Sequence, residues 1–441
     1  MIGKAVRVLD YAAGVVFSVI FICAVTPLAF VSMLIPRKRQ PPREISELYI
    51  SIIDFRQSVL STYKDDILLD GFIRKAYCYH FDFDKERDER VNINEFITLH
   101  NVSVHPDNIW VRMGLRKTSA CVIELITLMR MLMTAVFRKV NVIRAHDPHL
   151  LGFNAFVISK ITGIPFIVQI CSNYELKDRG AKGITFRPFL FKPVERCFER
   201  FIMKSADKVI TDREHYRAFG LIPREIPDTR YANIGFFVDK THYDLPETAL
   251  DMRADLGIED GRKILLYVGR LSEVKYAMDL INILEICLKR RKDILLLISG
   301  EGGLKTDMAG QAGERGIAGN VRFLDYLPQE KVRRLYRTAD VMCFTSAGFT
   351  MIEAALAEAC IVAYDFEWHG EFTGLNERGM LVPFGDCALF ARTVLDLLDD
   401  SDARRRLGKA ARSFALARYR REDSIKKEVR VYMDMLGTGR G

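Results

Sequence analysis

The sequence predicts an α/β protein of two doubly wound lobes behind an N-terminal apolar segment. Three features carry that expectation: a C-terminal half in which short apolar strands alternate with amphipathic runs, a fainter series of the same kind before it, and an uncharged stretch close to the N-terminus. At 441 residues with 49% hydrophobic content, the chain has apolar material for two cores. Its formal charge of +8 is modest for that length and suits an anionic ligand or an acidic membrane surface; no nucleic-acid-binding motif accompanies it. The nine cysteines are scattered without a Cys-x-x-Cys pair, which favours reduced thiols in a cytosolic setting over a zinc site or redox motif.

Residues 1–44 read as a membrane anchor. No residue from Tyr11 to Pro36 is charged, a run long enough for a membrane helix. Lys4 and Arg7 precede it, and the heavier cluster of Arg37, Lys38, Arg39 and Arg43 follows it. The positive-inside rule then places the lobes on the cytoplasmic side of the inner membrane. No small-residue cleavage site precedes "RKRQPPR", which argues against a removed signal peptide. Thr26-Pro27 interrupts the run, so a bent, re-entrant hairpin stays open beside a single span. The stretch "VRVLDYAAGVVFSVIFICAVTPLAFVSMLI" resembles the re-entrant membrane helix of the small phosphoglycosyl transferases. That family's catalytic Asp-Glu pair is not found downstream, so the resemblance covers the anchor alone.

Residues 45–244 form the first lobe. "YCYHFDFDKERDERVNI" and "FITLHNVSV" suggest strands, and "SACVIELITLMRMLMTAVF" has the apolar density of a buried helix. The pattern sharpens at "VNVIRA" (140–145), "FIVQI" (166–170) and "KVITD" (208–212), separated by helical segments. Residues 245–413 form the second lobe, with strands at 264–268, 294–299, 321–324, 341–345, 361–365 and 380–382. In such sheets a ligand sits at the carboxyl ends of the strands. Residues 414–441 read as a helical tail whose Arg/Lys run is a solvated face.

Several short blocks carry candidate chemistry. "YVGRLSEVK" puts Gly269 and Arg270 directly after a strand and Lys275 at the mouth of the next helix, a place suited to clamping a diphosphate, although plain loop chemistry explains the turn equally. Thr350-x-x-Glu353 fits a helix capping box. "RAHDPHLLG" brings His146, Asp147 and His149 to a strand end; a His-x-x-His pair with no third ligand is a poor zinc site, and a satisfied structural histidine is the competing reading.

Taken in order, "YVGRLSEVK", "ISGEGG", "GFTMIEAALAEACIVAYDFEWHGE" and "NERGMLVPFGD" resemble the donor lobe of the family-four retaining glycosyltransferases, which have the GT-B fold of two Rossmann-like lobes facing a central cleft. The resemblance implies that Glu353 binds the ribose of a nucleotide-sugar. It further implies that Gly269, Glu301, Gly348, Phe349, Thr350 and Glu371 line the donor site, with Arg270, Lys275 and His146 serving catalysis. On the acceptor side it implies Asp147, Asn173 and Glu175. An earlier family glutamate is absent: Thr345 stands in its place, and "TSAGFT" is shortened. Backbone groups of residues 348–350 taking over that role, an unusual sugar, and an impaired site are the three explanations.

The expected function is therefore a membrane-anchored, retaining, metal-independent glycosyltransferase of hexosyltransferase type. It would move a sugar from a nucleotide-sugar to a lipid-linked acceptor in polysaccharide, lipopolysaccharide or glycoconjugate biosynthesis. Apart from the donor substrate no cofactor is expected, and no nucleic-acid partner. The alternative is a catalytically impaired membrane scaffold or regulatory partner.

Overall fold

The computed structural model describes residues 44–51, 67–82, 89–103, 116–171, 192–213, 215–218, 220–235, 251–346 and 348–437. The anchor run at 11–36 lies outside them, and among the described residues no helix is long and apolar enough to cross a membrane. Two compact units form. Of the described residues, the first holds 44–171, 192–235 and those from Ile425 onward, and the second holds 251 to Ser424.

The first unit is built on β1 (Ile45–Ser51), β2 (Ile73–Asp82), β3 (Glu89–Asn92), β4 (Ile97–Ser103), α1 (Arg116–Phe137), β5 (Val142–Ala145), α2 (Leu150–Thr162), β6 (Phe166–Ile170), α3 (Lys192–Ser205), β7 (Lys208–Thr211), α4 (His215–Ala218) and β8 (Tyr231–Asn233). Its strands are ordered β3-β4-β2-β1-β5-β6-β7-β8 and pair in parallel, except for antiparallel β3–β4. β1 is central although "ISELYIS" offers no clean apolar run. Glu47 on that strand is fully buried, and only partners far along the chain make that tolerable.

Helix α1 forms where expected but is not a buried helix. Its inward face is Glu124, Thr127, Leu128, Met131 and Ala135, while Val122, Ile126, Met129, Met133 and Phe137 point outward. Polar Glu124 can face inward because it accepts a hydrogen bond from Asn154 of α2.

The second unit comprises β9 (Lys263–Val268), α5 (Asp279–Arg290), β10 (Ile294–Ser299), α6 (Lys305–Glu314), β11 (Val321–Phe323), α7 (Gln329–Thr338), β12 (Val341–Phe344), α8 (Phe349–Leu356), β13 (Ile361–Tyr364), α9 (His369–Thr373), β14 (Met380–Val382), α10 (Cys387–Asp399) and α11 (Ser401–Arg418). All pairs in the order β11-β10-β9-β12-β13-β14 are parallel. Period-two alternation explains the doubly covered sheet. Leu265, Tyr267, Leu296, Ile298, Val362 and Tyr364 enter one core with α5 and α10. Ile264, Leu266, Leu295, Leu297, Ile361 and Ala363 enter the other with α7, α8 and α11. Each fully buried aliphatic side chain contributes roughly 1.5–3 kcal/mol.

The chain then returns to the first unit. Helix α12 (Arg421–Leu436) contributes Ile425, Val431 and Tyr432 to the core around Tyr49, Val142 and Ile167. The sequence set 414–441 apart as a solvated tail, whereas α12 buries Glu428 and Tyr432 against the first sheet. Arg144 meets Glu428 there and donates to Gln169 at 2.9 Å, and Tyr432 donates to Glu47. These contacts offset part of the cost of burying the charges; the second carboxylate oxygen of Glu47 is buried without a hydrogen bond.

Candidate active site

Every strand of the second sheet points the same way, so the loops after β10, β9, β12 and β13 leave from four adjacent carboxyl ends. Those loops and the first residues of the helices that follow them, α8 and α9, hold the candidate residues of this unit.

After β9 and β10 the backbones are laced together. The Gly269 N–H donates to the Ser299 carbonyl at 3.0 Å, and the Leu271 N–H to the Glu301 carbonyl at 2.9 Å. Glycine is required at 300 and 302, where φ is +142° and +156°; a Cβ would lie 2.0 Å from the Gly269 carbonyl oxygen and 2.1 Å from that of Leu271. This is why "SGEGG" follows the strand. The side chain of Glu301 is exposed, and its carbonyl does the structural work. Arg270 is exposed, on a turn braced from below by the buried Tyr267 hydroxyl, which donates to its carbonyl at 3.1 Å.

Lys275 does not stand at a helix mouth. It ends a 3₁₀ turn, Glu273–Lys275, and Tyr276 follows in the left-handed region before α5 begins. The first N–H groups of α5 are already used, Asp279, Leu280 and Ile281 donating to the carbonyls of 276, 277 and 278. An anion near Lys275 is therefore left to side-chain cations and other N–H groups. The Lys275 carbonyl accepts from the Thr345 hydroxyl at 2.7 Å. Thr345 is fully buried, so the side chain that replaces the absent glutamate faces inward and fixes the Lys275 turn to the end of β12.

Helix α8 starts at Phe349 with Gly348 as its N-cap and no side-chain cap. Nothing lies within 4 Å of a Cβ built at Gly348, and Phe349 is exposed. Thr350 is the helix's second residue, so the capping-box alternative for Thr350 and Glu353 does not occur. The half-buried Glu353 carboxylate instead accepts from the Tyr336 hydroxyl at 2.8 Å and from Gln329 Nε2 at 3.3 Å. Two donors from α7 thus orient an acid that lies just past the first turn of a helix without a side-chain cap. Glu371 is exposed on α9, and its carbonyl accepts from Arg378 at 2.9 Å.

Sequence reasoning missed three participants: Tyr336, Thr345 as a tether, and an aromatic group at the same edge. Tyr276 and Phe366 pack on Phe384 with ring centroids 4.7 and 5.3 Å away, and Phe384 remains half exposed. The available signal was an aromatic residue shortly after each of β9, β13 and β14.

The first unit treats its strand ends differently. His146 is buried; its ring meets the Tyr49 hydroxyl at Nε2 and the Ser51 hydroxyl, 3.1 Å away, at Nδ1. Burial and the Arg144 charge hold its pKa well below the usual imidazole range, so it stays neutral. Asp147 accepts from the His149 N–H at 2.8 Å and opens α2. His149 lies 2.5 Å from Glu199 and 3.7 Å from Glu195. Burial lowers its pKa, and the Glu199 hydrogen bond with the charges of Asp147, Glu199 and Glu195 outweighs that and raises it. The ligand atoms of this trio lie within 4.8 Å of one another, a grouping able to hold a metal ion but equally complete as an ion pair on His149. Asn173 and Glu175 lie outside the described residues.

Residues 249–414 match the profile of the family described as "Glycosyl transferases group 1". The chain is 23% identical over 274 residues to an alpha-D-kanosaminyltransferase of Streptomyces kanamyceticus, covering 61% of this chain and 70% of that one. It is 31% identical over 169 residues to a D-inositol 3-phosphate glycosyltransferase of Corynebacterium efficiens, covering 36% and 40%. Among solved structures, sucrose-phosphate synthase from Thermosynechococcus elongatus aligns with a TM-score of 0.71 at 16% identity, covering 90% of this chain and all of that one. Anabaena HepE in complex with UDP aligns with a TM-score of 0.65 at 15% identity, covering 88% and 99%. The fold is thus α/β and GT-B-like, with two Rossmann-like sheets of parallel strands.

Proposed function

We propose, on the premise of a group 1 glycosyl transferase match over residues 249–414, that the protein moves a sugar from a nucleotide-sugar to a lipid-linked acceptor with retention at the anomeric carbon. The observation that carries this reading is the half-buried Glu353 carboxylate on α8, steadied by Tyr336 and Gln329 of α7. Its oxygens suit the two ribose hydroxyls of a donor. The UDP complex of a structural neighbour supports the same donor class.

The diphosphate lies between Arg270, Lys275 and the first N–H groups of α8. As the bond from the anomeric carbon to the diphosphate oxygen breaks, these groups stabilise the charge that develops on it. The acceptor hydroxyl attacks from the same face, its proton passes to the departing diphosphate, and a nucleoside diphosphate leaves. Two side-chain cations make the step independent of a metal ion. His146 supports the fold of the first unit and takes no proton. The uncharged run 11–36 and its basic flanks hold the enzyme at the cytoplasmic face of the inner membrane, where a lipid-linked acceptor is found.

The inward-facing Thr345 is what favours the alternative of an impaired scaffold. Full-length protein incubated with a panel of labelled nucleotide-sugars, membrane lipids and EDTA separates the two. Transfer to a lipid-extractable product supports the enzyme; nucleotide binding with neither transfer nor donor hydrolysis for any sugar would favour the scaffold.

A further inference from the structure

Helix α1 exposes one apolar face that no described residue covers. Val122, Leu125, Ile126, Met129, Met133, Val136 and Phe137 recur at helical spacing, and each is between 36% and 70% exposed. From Val122 to Phe137 the stripe runs for about 24 Å of the helix surface. Contiguous apolar faces of this extent mark binding surfaces in soluble units.

The charges on that face select the occupant. Arg130, Arg138 and Lys139 are exposed beside the stripe, and the helix's one acid, Glu124, is turned inward. A second copy packed face to face would crowd like charges, whereas an anionic surface complements them. Position agrees with this. α1 packs against β1, whose first residue, Ile45, follows the basic cluster after the apolar run. The chain from Pro36 to Ile45 reaches no further than about 30 Å. A bilayer that holds the run at 11–36 is therefore within reach of α1. That tether rests on the anchor reading above; the exposed face does not.

We infer that α1 is an interfacial helix that lays this apolar face into the headgroup region of an anionic bilayer, as a second membrane contact distinct from residues 1–44. A tether alone leaves the unit free to turn, and a second, interfacial contact on the same unit fixes its orientation at the bilayer.

Met129 and Met133 are native reporters, because exposed thioethers oxidise readily and covered ones do not. Full-length protein is treated with dilute hydrogen peroxide, with and without vesicles of phosphatidylcholine and phosphatidylglycerol, and sulfoxide formation is read by mass spectrometry. The expected result is a several-fold slowing at Met129 and Met133 on vesicles, with Met278 and Met380 unchanged. Unchanged rates at 129 and 133 in protein that still sediments with vesicles would overturn the inference and leave the anchor standing. Protein that neither sediments nor shows protection would overturn both. Slowing that needs no lipid and grows with protein concentration would assign the face to a second copy, and equal protection by phosphatidylcholine alone would overturn the anionic assignment.

Discussion

The two sheets share a parallel architecture, but they use the polar residues at their carboxyl ends in opposite ways. In the second unit Arg270, Glu301 and Glu371 face solvent, and Glu353 is half exposed on a brace of Tyr336 and Gln329. In the first unit Arg144, His146 and Asp147 are buried and each has a protein partner. One edge leaves its described charges exposed, and the other consumes them in holding β1, β5 and α12 together. Shared topology therefore marks where a site can be, and only the orientation of side chains distinguishes a site from a scaffold.

The largest effects should come from the presented edge. Lys275→Ala and Arg270→Ala should each lower kcat by the equivalent of roughly 2.7–4 kcal/mol, with unfolding unchanged, because each sits on a turn and stabilises only leaving-group charge. Near-normal turnover in both would remove the contrast between the two edges.

On the consumed edge, His146→Ala should lose stability instead of chemistry. It removes the imidazole that the Tyr49 and Ser51 hydroxyls meet, at a cost of about 1–3 kcal/mol by chemical denaturation, with nucleotide affinity intact. A stable variant that binds donor but no longer turns over would return His146 to catalysis.

The same edge should carry a pH dependence. Burial pushes the Glu47 carboxyl up to about 7, against the pull of Arg144 and Tyr432. A raised carboxyl pKa means that the folded state holds the proton more tightly, so this contribution is full below the ordinary value of 4.5 and is lost as pH rises towards 7. The midpoint of the wild type minus that of Glu47→Gln should fall between about pH 5 and pH 8, a difference in which the opposite slope from the lowered His146 cancels. A difference that rises over the same range would contradict the assignment.

The smallest effect belongs to the brace. Tyr336→Phe removes one hydrogen bond to Glu353 and should weaken nucleoside diphosphate binding by about 1 kcal/mol while leaving the unfolding midpoint nearly unchanged. An altered midpoint with unaltered binding would make the bond structural only.

Much of the second unit was legible in the sequence because its signals are local. The runs "ILLLIS" and "MLV" are strands at the predicted residues, and the first is buried throughout, which is why it is almost continuously apolar. The glycines of "ISGEGG" likewise mark a close backbone approach that no side chain would permit. What stayed hidden depends on partners distant in sequence. β1 looks polar because Glu47 is matched by Tyr432 of α12, and α12 looks solvated because Ser424 and Glu428 are buried beside its few apolar core residues. His146 read as available because Tyr49 and Ser51 lie nearly a hundred residues earlier. For α1, hydrophobic density alone could not tell a covered face from an open one.

Calorimetric titration of nucleoside diphosphates into wild-type and Glu353→Gln protein tests the central claim most directly, because glutamine keeps the size of the side chain but is a poorer acceptor for two hydroxyls. The account predicts that one nucleoside diphosphate binds the wild type and binds the variant about tenfold more weakly, a loss of about 1.4 kcal/mol, while the two proteins unfold at the same temperature. Equal affinity in both, or a variant that unfolds earlier and still binds normally, would contradict it.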